Sequence, residues 1–496
     1  MSPETYQLIA ISIYMVAMLA IGYYSYRKTV NLTDYMLGGR SLGPAVTALS
    51  AGAADMSGWL LMGLPGAIYL HGMGEAWIAV GLTIGAYLNW LYVAPRLRVY
   101  TQVSNDSITI PSYLESRLKQ SSRLLRVASG LIILLFFTFY VSSGMVAGGV
   151  FFESSFGLDY HTGLLVVSAV TVAYTLFGGF LAVSYTDFLQ GLLMFLALIF
   201  VPIIGLFATG GIDTTVDSIK AVNPTHLSLI AGTTTAGIIS SLAWGLGYFG
   251  QPHIIVRFMA ISSVKETKNA RRIGIGWMIL SLVGAISTAL VGLAYYQQNP
   301  NLTLTDPEAI FISLGQIVFH PFIAGLVLAA VLAAVMSTIS SQLIVTSSAL
   351  IEDLYKAFIK TDASDRTYVN YGRIAVLAVS IIAAVLAWEQ NETILGLVAF
   401  AWAGFGASFG PVILLSLYWK KITSHGALAG MVVGAVTVVI WGNNEALSDA
   451  LYEIVPGFFL ALIFTVVVSL LTYKPNAEIE KEFDDTVQLL KEERKK

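Results

Sequence analysis

The chain reads as an all-α polytopic membrane protein, on three observations. Of its 496 residues, 56% are apolar and only 11% charged, whereas soluble domains carry roughly 25% charged residues. The apolar residues come in runs: Tyr6 to Tyr26 holds no charge, and a helix of that length, rising about 1.5 Å per residue, covers a hydrocarbon core. Short segments alternating between polar and apolar residues, the mark of a membrane β-barrel, do not occur.

Thirteen runs follow one another, at 6–26, 43–71, 75–95, 124–152, 160–183, 188–209, 230–256, 274–296, 313–351, 372–388, 393–419, 426–442 and 453–473. The first opens "MSPETYQ" without a basic lead-in, and Arg27 and Lys28 come after it. It is expected to be a retained helix starting outside the cell rather than a cleaved signal. Thirteen spans put the two ends on opposite faces. With the odd-numbered linkers and the tail on the cytoplasmic side, 26 of the 27 Lys and Arg fall there and only Lys220 falls outside. That bias fixes the expected orientation, with the C-terminus cytoplasmic. The outer connections carry acids instead: Glu153, Asp159, Asp306, Glu308, Glu389, Glu392, Glu445 and Asp449. The inner loops 96–123 and 352–372 look helix-like, as in "IPSYLESRLK" from Ile110, and are expected at the membrane interface. The very short linker near Tyr185 carries Asp187 close to an inner end. The tail from Asn476 is charged and reads as a solvated helix.

Composition excludes several chemistries. No cysteine is present, so disulfides and thiol catalysis are out. The six histidines never fall at metal-ligand spacing, which leaves no zinc or haem site. An intramembrane enzyme needs a paired carboxylate, a Ser–Lys or Ser–His arrangement, or metal ligands, and the chain is expected not to be an enzyme. A cation channel would use Asp55 in a ring repeated over several subunits.

Two runs look broken. "LSAGAADMSGWLLMGLPGAIYL" (49–70) places Asp55 among small residues, flanked by Gly52 and Gly58 and followed by Pro65. A carboxylate at bilayer depth costs roughly 2.5–3.5 kcal/mol on insertion scales. "WGLGYFGQPHIIV" from Trp244 packs Gly245, Gly247, Gly250 and Pro252 into one span, enough to interrupt a helix. Its letters GLGYFG match the dinucleotide fingerprint, but that motif needs a preceding strand and a βαβ unit, so neither nucleotide nor nucleic acid is an expected partner.

Setting aside the first run and the last two leaves ten. The Asp55 break is then in the first and the Gly245–Pro252 break in the sixth, which are matching members of two inverted five-helix halves. Interrupted spans at matching places in inverted halves point to a transporter's binding site. Unwound backbone frees N–H and C=O groups that lipid cannot satisfy; half-helix N-termini suit a substrate carboxylate and freed carbonyls suit sodium. The ninth run, "AAVMSTISSQLIVTSS" from Ala333, supplies hydroxyls at Ser337 and Thr338 that would face carbonyls near Ala53 and Met56. Trp59, Tyr140, Trp244, Tyr248 and Phe249 are candidate walls for a small organic solute.

The segments "YMLGGRSLGP" (35–44), "SAGAADMSGWLLMGLPG" (50–66), "FGGFLAVSYTDFLQG" (177–191), "WGLGYFGQPHIIVRFMA" (244–260) and "AAVMSTISSQLIVTSSALIEDLY" (333–355), in that order, resemble the sodium:solute symporter family. The resemblance extends to about Tyr473. It implies thirteen transmembrane helices around a leucine-transporter-like 5+5 inverted-repeat core. It also implies alternating-access import of a small amino acid, L-proline, coupled to Na+ with no organic cofactor. Other solutes found in the family, pantothenate, other amino acids or sugars, remain alternatives. At matching positions it implies a sodium site of the Ala53, Met56 and Ala334 carbonyls with the Ser337 and Thr338 hydroxyls. Asp55, Asp187 and Arg40 would serve sodium coupling, although Asp187 equally suits a helix cap. Ser57, Trp59, Tyr140, Trp244, Tyr248 and Pro252 would contact the solute. The expected organisation is a peripheral first helix and inner loop (1–42), repeat 1 (43–209), repeat 2 (210–419), two peripheral helices (420–474) and a cytoplasmic tail (475–496). The expected location is a bacterial cell membrane.

Overall fold

Long apolar helices dominate the computed structural model, which describes residues 2–29, 31–120, 122–359, 364–389 and 393–495. Lys360, Glu392 and Lys496, counted above, lie outside the described residues. The main helices are α1 (Pro3–Tyr26), α2 (Pro44–Asp55), α3 (Leu64–His71), α4 (Trp77–Leu88), α5 (Leu124–Phe156), α6 (Tyr160–Ala208), α7 (Thr235–Leu242) and α8 (Pro252–Ala260). There follow α9 (Glu266–Gln298), α10 (Pro321–Ser348), α11 (Asp365–Leu386), α12 (Ile394–Tyr418), α13 (Ser424–Gly442), α14 (Ile454–Thr472) and α15 (Ala477–Lys495). Among the described residues ten helices are long and apolar enough to cross a membrane. The runs at 43–71, 160–183 and 230–256 are not among them, because each is interrupted or short.

The centre of the molecule is α10, which packs on α1, α2, α5, α6 and α11. Its residues from Val327 to Ser348 are buried on every face, as expected of a helix apolar all round apart from small hydroxyls. The broken pair α2/α3 lies against α6 and α9, while the stretch Ala243–Gly250 that links α7 to α8 lies against α4 and α12. The peripheral helices α13 and α14 pack on each other and on α12.

Two boundaries, and the surroundings of two further helices, differ from the expectation. The fifth and sixth runs meet at Gly179 (φ 60°, ψ −154°), inside what is otherwise the continuous α6, and not near Tyr185. Only glycine tolerates that conformation without strain, and a Cβ there would fall 2.5 Å from the Tyr35 ring. The run at 313–351 is two helices, Ile310–Val318 and α10, divided where His320 and Pro321 start the second. The segment Ile110–Arg117 is mostly buried among protein, not laid on the surface, and is capped by Thr109 and Ser112. The tail helix α15 is solvated on one face but docked on the other. Its Phe483 ring sits beneath the Arg96 and Lys420 cations, and Lys119 pairs with Glu478 at 3.2 Å and with Glu482.

Glycines set how closely α4 meets the second break. A Cβ added at Gly85 would fall 2.1 Å from the Gly245 carbonyl oxygen, and one at Gly245 would fall 2.2 Å from the Gly81 oxygen. Backbone cannot yield as a side-chain tip does. Gly85→Ala is therefore expected to lower the thermal midpoint in detergent, at a cost of about 1–3 kcal/mol for overpacking. An unchanged midpoint would refute this contact.

Candidate solute and cation site

At the first break α2 stops at Asp55, because Met56 (φ −77°, ψ 77°) leaves the helix. The chain re-forms as a π-helical turn over Trp59–Gly63 and then as α3. The freed Ala53 carbonyl accepts the Ser337 hydroxyl at 2.7 Å and the Thr338 hydroxyl at 3.3 Å. The same two hydroxyls reach the Ala334 carbonyl at 3.1 and 3.3 Å. Four oxygens from two helices thus converge, all buried. Among the described residues, no hydroxyl of α10 hydrogen-bonds the Met56 carbonyl; Met56 lies in the break and its N–H bonds the Gly52 oxygen at 2.8 Å.

Asp55 is only 2% exposed. Its Oδ2 accepts the Tyr248 hydroxyl, its Oδ1 has no hydrogen-bond partner, and its backbone oxygen accepts the Trp59 indole N–H at 3.0 Å. A cavity of about 20 Å³ opens beside it, lined among others by Gly52, Met56, Asn89 and Tyr248. That is room for one or two waters, so an organic solute enters only after side chains move.

The second break runs from Ala243 to Gly250 as a 3-10 stretch, and α8 restarts at Pro252, whose missing N–H is no loss at a helix start. Side chains occupy its freed carbonyls: the Trp402 indole donates to Trp244 O at 2.8 Å and Asn89 to Tyr248 O at 3.0 Å. Gln251 donates to Gly247 O and Trp402 O at 3.1 and 3.0 Å. None of these three donors stood out in the sequence, where an Asn, a Gln and a Trp in apolar runs carry no distinguishing spacing.

The two breaks share an aromatic cluster. Trp59 and Trp244 have ring centroids 6.4 Å apart, and Tyr248 meets Trp402 edge-on at 5.0 Å. Tyr140 packs edge-on against His253 at 5.6 Å, next to Pro252, and its hydroxyl is buried, with Ser57 as its polar neighbour. Ser57 accepts the Trp59 backbone N–H at 3.3 Å. Phe249 stands aside as a partly buried flank of the core.

Asp187 is not a helix cap. It is wholly buried within α6, where Oδ2 accepts Arg257 at 3.1 Å, Ser50 at 2.8 Å and Ser341 at 3.3 Å. The Arg257 guanidinium also donates to Ser50 at 3.1 Å and Ser341 at 2.7 Å. One network therefore ties α2, α6, α8 and α10 together. Arg257 was counted above as an inner-linker charge; its burial in α8 corrects that. Arg40 lies outside this network. It donates to Met259 O at 2.9 Å, Ser107 O at 2.7 Å and Thr101 at 3.2 Å, and pairs with the exposed Asp106 at 3.0 Å. Burial pulls its guanidinium below the ordinary arginine value, with Asp106 opposing. It thereby clamps the segment before α2 to the end of α8.

The profile of the sodium:solute symporter family matches residues 35–434. The chain is 65% identical to the high-affinity proline transporter PutP of Bacillus subtilis, across 94% of this chain and 98% of that protein. It is 51% identical to sodium/proline symporter 2 of Staphylococcus saprophyticus, across 99% and 97%. Among solved structures it resembles a Na+-coupled sialic acid symporter in a substrate-bound outward-open state, with a TM-score of 0.81 at 21% identity over 95% of this chain and 98% of the other.

Proposed function

The chain belongs to the sodium:solute symporter family, and on that premise we propose that it imports L-proline together with Na+ by alternating access. The fold is the leucine-transporter-like inverted-repeat type of that family. The observation that carries the proposal is the meeting of the Ala53 and Ala334 carbonyls with the Ser337 and Thr338 hydroxyls, two residues from an Asp55 carboxylate that no cation among the described residues pairs. Hard oxygens at a helix break suit a monovalent cation, with the Met56 carbonyl and water completing its shell. Asp55 supplies the compensating charge.

Trp59, Tyr140, Trp244 and Tyr248 pack on the pyrrolidine ring, while backbone at Ser57 and at the Pro252 end of α8 holds the charged ends of the amino acid. Because solute and cation share the α2 break, each raises the other's affinity by the same factor. Asp187 with Arg257 couples the four helices that must rearrange, and Arg40 clamps their inner ends. The repeats run over 43–209 and 210–419, between a peripheral helix and inner loop at 1–42, two peripheral helices at 420–474 and a tail at 475–496. The count of thirteen spans read from the sequence, with its cytoplasmic charge bias, supports an N-terminus outside and a C-terminus inside a bacterial cell membrane. No organic cofactor takes part.

A tenfold sodium gradient with a potential of about 100 mV is worth about 3.7 kcal/mol per ion, or roughly 500-fold accumulation of solute. Radiolabelled proline in proteoliposomes is therefore expected to accumulate, saturably, under a sodium gradient and to do so far less under a proton gradient; a lithium gradient grades the ion's size. Uptake indifferent to sodium, or flux linear in proline, would contradict the proposal.

A further inference from the structure

Trp244 is flanked by three rings, and one of them comes from outside the ten-helix core. The Tyr452 ring, in the segment just before α14, stacks on the Trp244 indole with centroids 5.4 Å apart and planes 29° apart. Trp402 stacks at 6.4 Å and 30°, and Trp59 lies tilted at 6.4 Å. Two hydrogen bonds hold Tyr452 where it is: its hydroxyl donates to Ala399 O at 2.6 Å, and its backbone N–H donates to Ser240 Oγ at 3.1 Å. Those bonds matter because Tyr452 also lines a cavity of about 710 Å³, shared with Ser240, Phe400, Asp449 and Glu453. Tyr452 is nonetheless buried as part of the main core, so the stacked face fixes the ring and the hydrogen bonds add to it.

We propose that Tyr452 is a positioning residue for solute recognition, holding the Trp244 indole at the angle that closes the aromatic wall. It rests on the reading of Trp244 as a solute contact, and it acts through Trp244 without touching the solute itself. The peripheral helices α13 and α14 thereby enter the transport function, since the segment between them carries the residue that sets the wall. Rigid aromatic pairs suit this task, because offset stacking has a preferred geometry and a preferred distance.

The test is a double-mutant cycle in proteoliposomes, reading the proline KM at saturating sodium, the maximal rate, and the half-saturating sodium concentration at saturating proline. Tyr452→Ala is expected to raise the proline KM about fivefold, the order of one lost aromatic pair, with sodium half-saturation within about twofold of the parent. Tyr452→Phe keeps the stacked face and is expected to stay within about twofold of the parent KM. Tyr452→Leu fills the space without a ring face and is expected to behave as the alanine variant does, should that variant fold poorly. In a protein already carrying Trp244→Ala, removing Tyr452 is expected to change the KM no further. If Tyr452→Ala raises the KM by the same factor with and without Trp244, or if Tyr452→Phe is as impaired as Tyr452→Leu, the positioning role is overturned. If Trp244→Ala itself leaves the proline KM unchanged, it is the solute-contact reading that fails, and the positioning role falls with it.

Discussion

Asp55→Asn is expected to abolish most sodium-driven proline uptake while the protein still inserts and folds. The carboxylate stands in the break with one oxygen on Tyr248 and the other without a partner, and no cation among the described residues pairs with it. A sodium ion at about 6–8 Å would gain roughly 2–3 kcal/mol from that charge at an effective dielectric constant near 20. Neutralising it is therefore expected to raise half-saturating sodium about 30- to 100-fold. Asparagine keeps the shape and still accepts from Tyr248, so the variant separates charge from packing. The check is the sodium dependence of initial uptake rates, with surface expression measured in parallel. A variant that transports normally with unchanged sodium half-saturation would remove Asp55 from the cation site.

Arg257→Met is expected to lower the thermal midpoint in detergent by about 5 °C or more. The Arg257–Asp187 pair has no exposed side chain, and breaking such a pair strands a buried charge at a cost of about 3–5 kcal/mol. The serines would not compensate, since Ser50 and Ser341 bring hydroxyls and no charge. Removing both partners removes the stranded charge, so Arg257→Met with Asp187→Leu is expected to regain most of the midpoint. Its transport is expected to stay defective if the pair couples α2, α6, α8 and α10 during the cycle. A double variant as unstable as the single one would show that packing of the guanidinium, not charge balance, holds this region. Full transport in the double variant would show that the pair serves stability alone.

Much of this was legible in the amino-acid order because membrane helices advertise their own defects. Three glycines and a proline crowd the second break, a lone acid marks the first and hydroxyls cluster in the ninth run, so Asp55, Ser337, Thr338, Trp244 and Tyr248 stand out as candidates in the sequence itself. Other features are hidden for identifiable reasons. Gly179 breaks α6 by backbone conformation, whereas hydropathy reads only the more polar residues a few positions later. The apolar character of Ile310–Val318 resumes at once in α10, so hydropathy runs the two together, and only the His320–Pro321 pair marks the change of direction. Arg257 lies one turn from the end of α8, where charge counting cannot tell a buried ion pair from a loop. The docked face of the tail is hidden because its charges pair with Lys119 and Lys420, while Phe483 and Leu490 are buried behind them. Tyr452 is out of reach for sequence reasoning altogether, since its partner is some two hundred positions away.

The most direct measurement is equilibrium binding of radioactive sodium to the purified protein, with and without proline, in the parent chain and in Asp55→Asn and Ser337→Ala. A cation held by the Ala53 and Ala334 carbonyls, the two hydroxyls and the Asp55 charge predicts saturable binding that proline tightens and that both substitutions weaken at least tenfold. Sodium binding of unchanged affinity in both variants, or binding indifferent to proline, would contradict it.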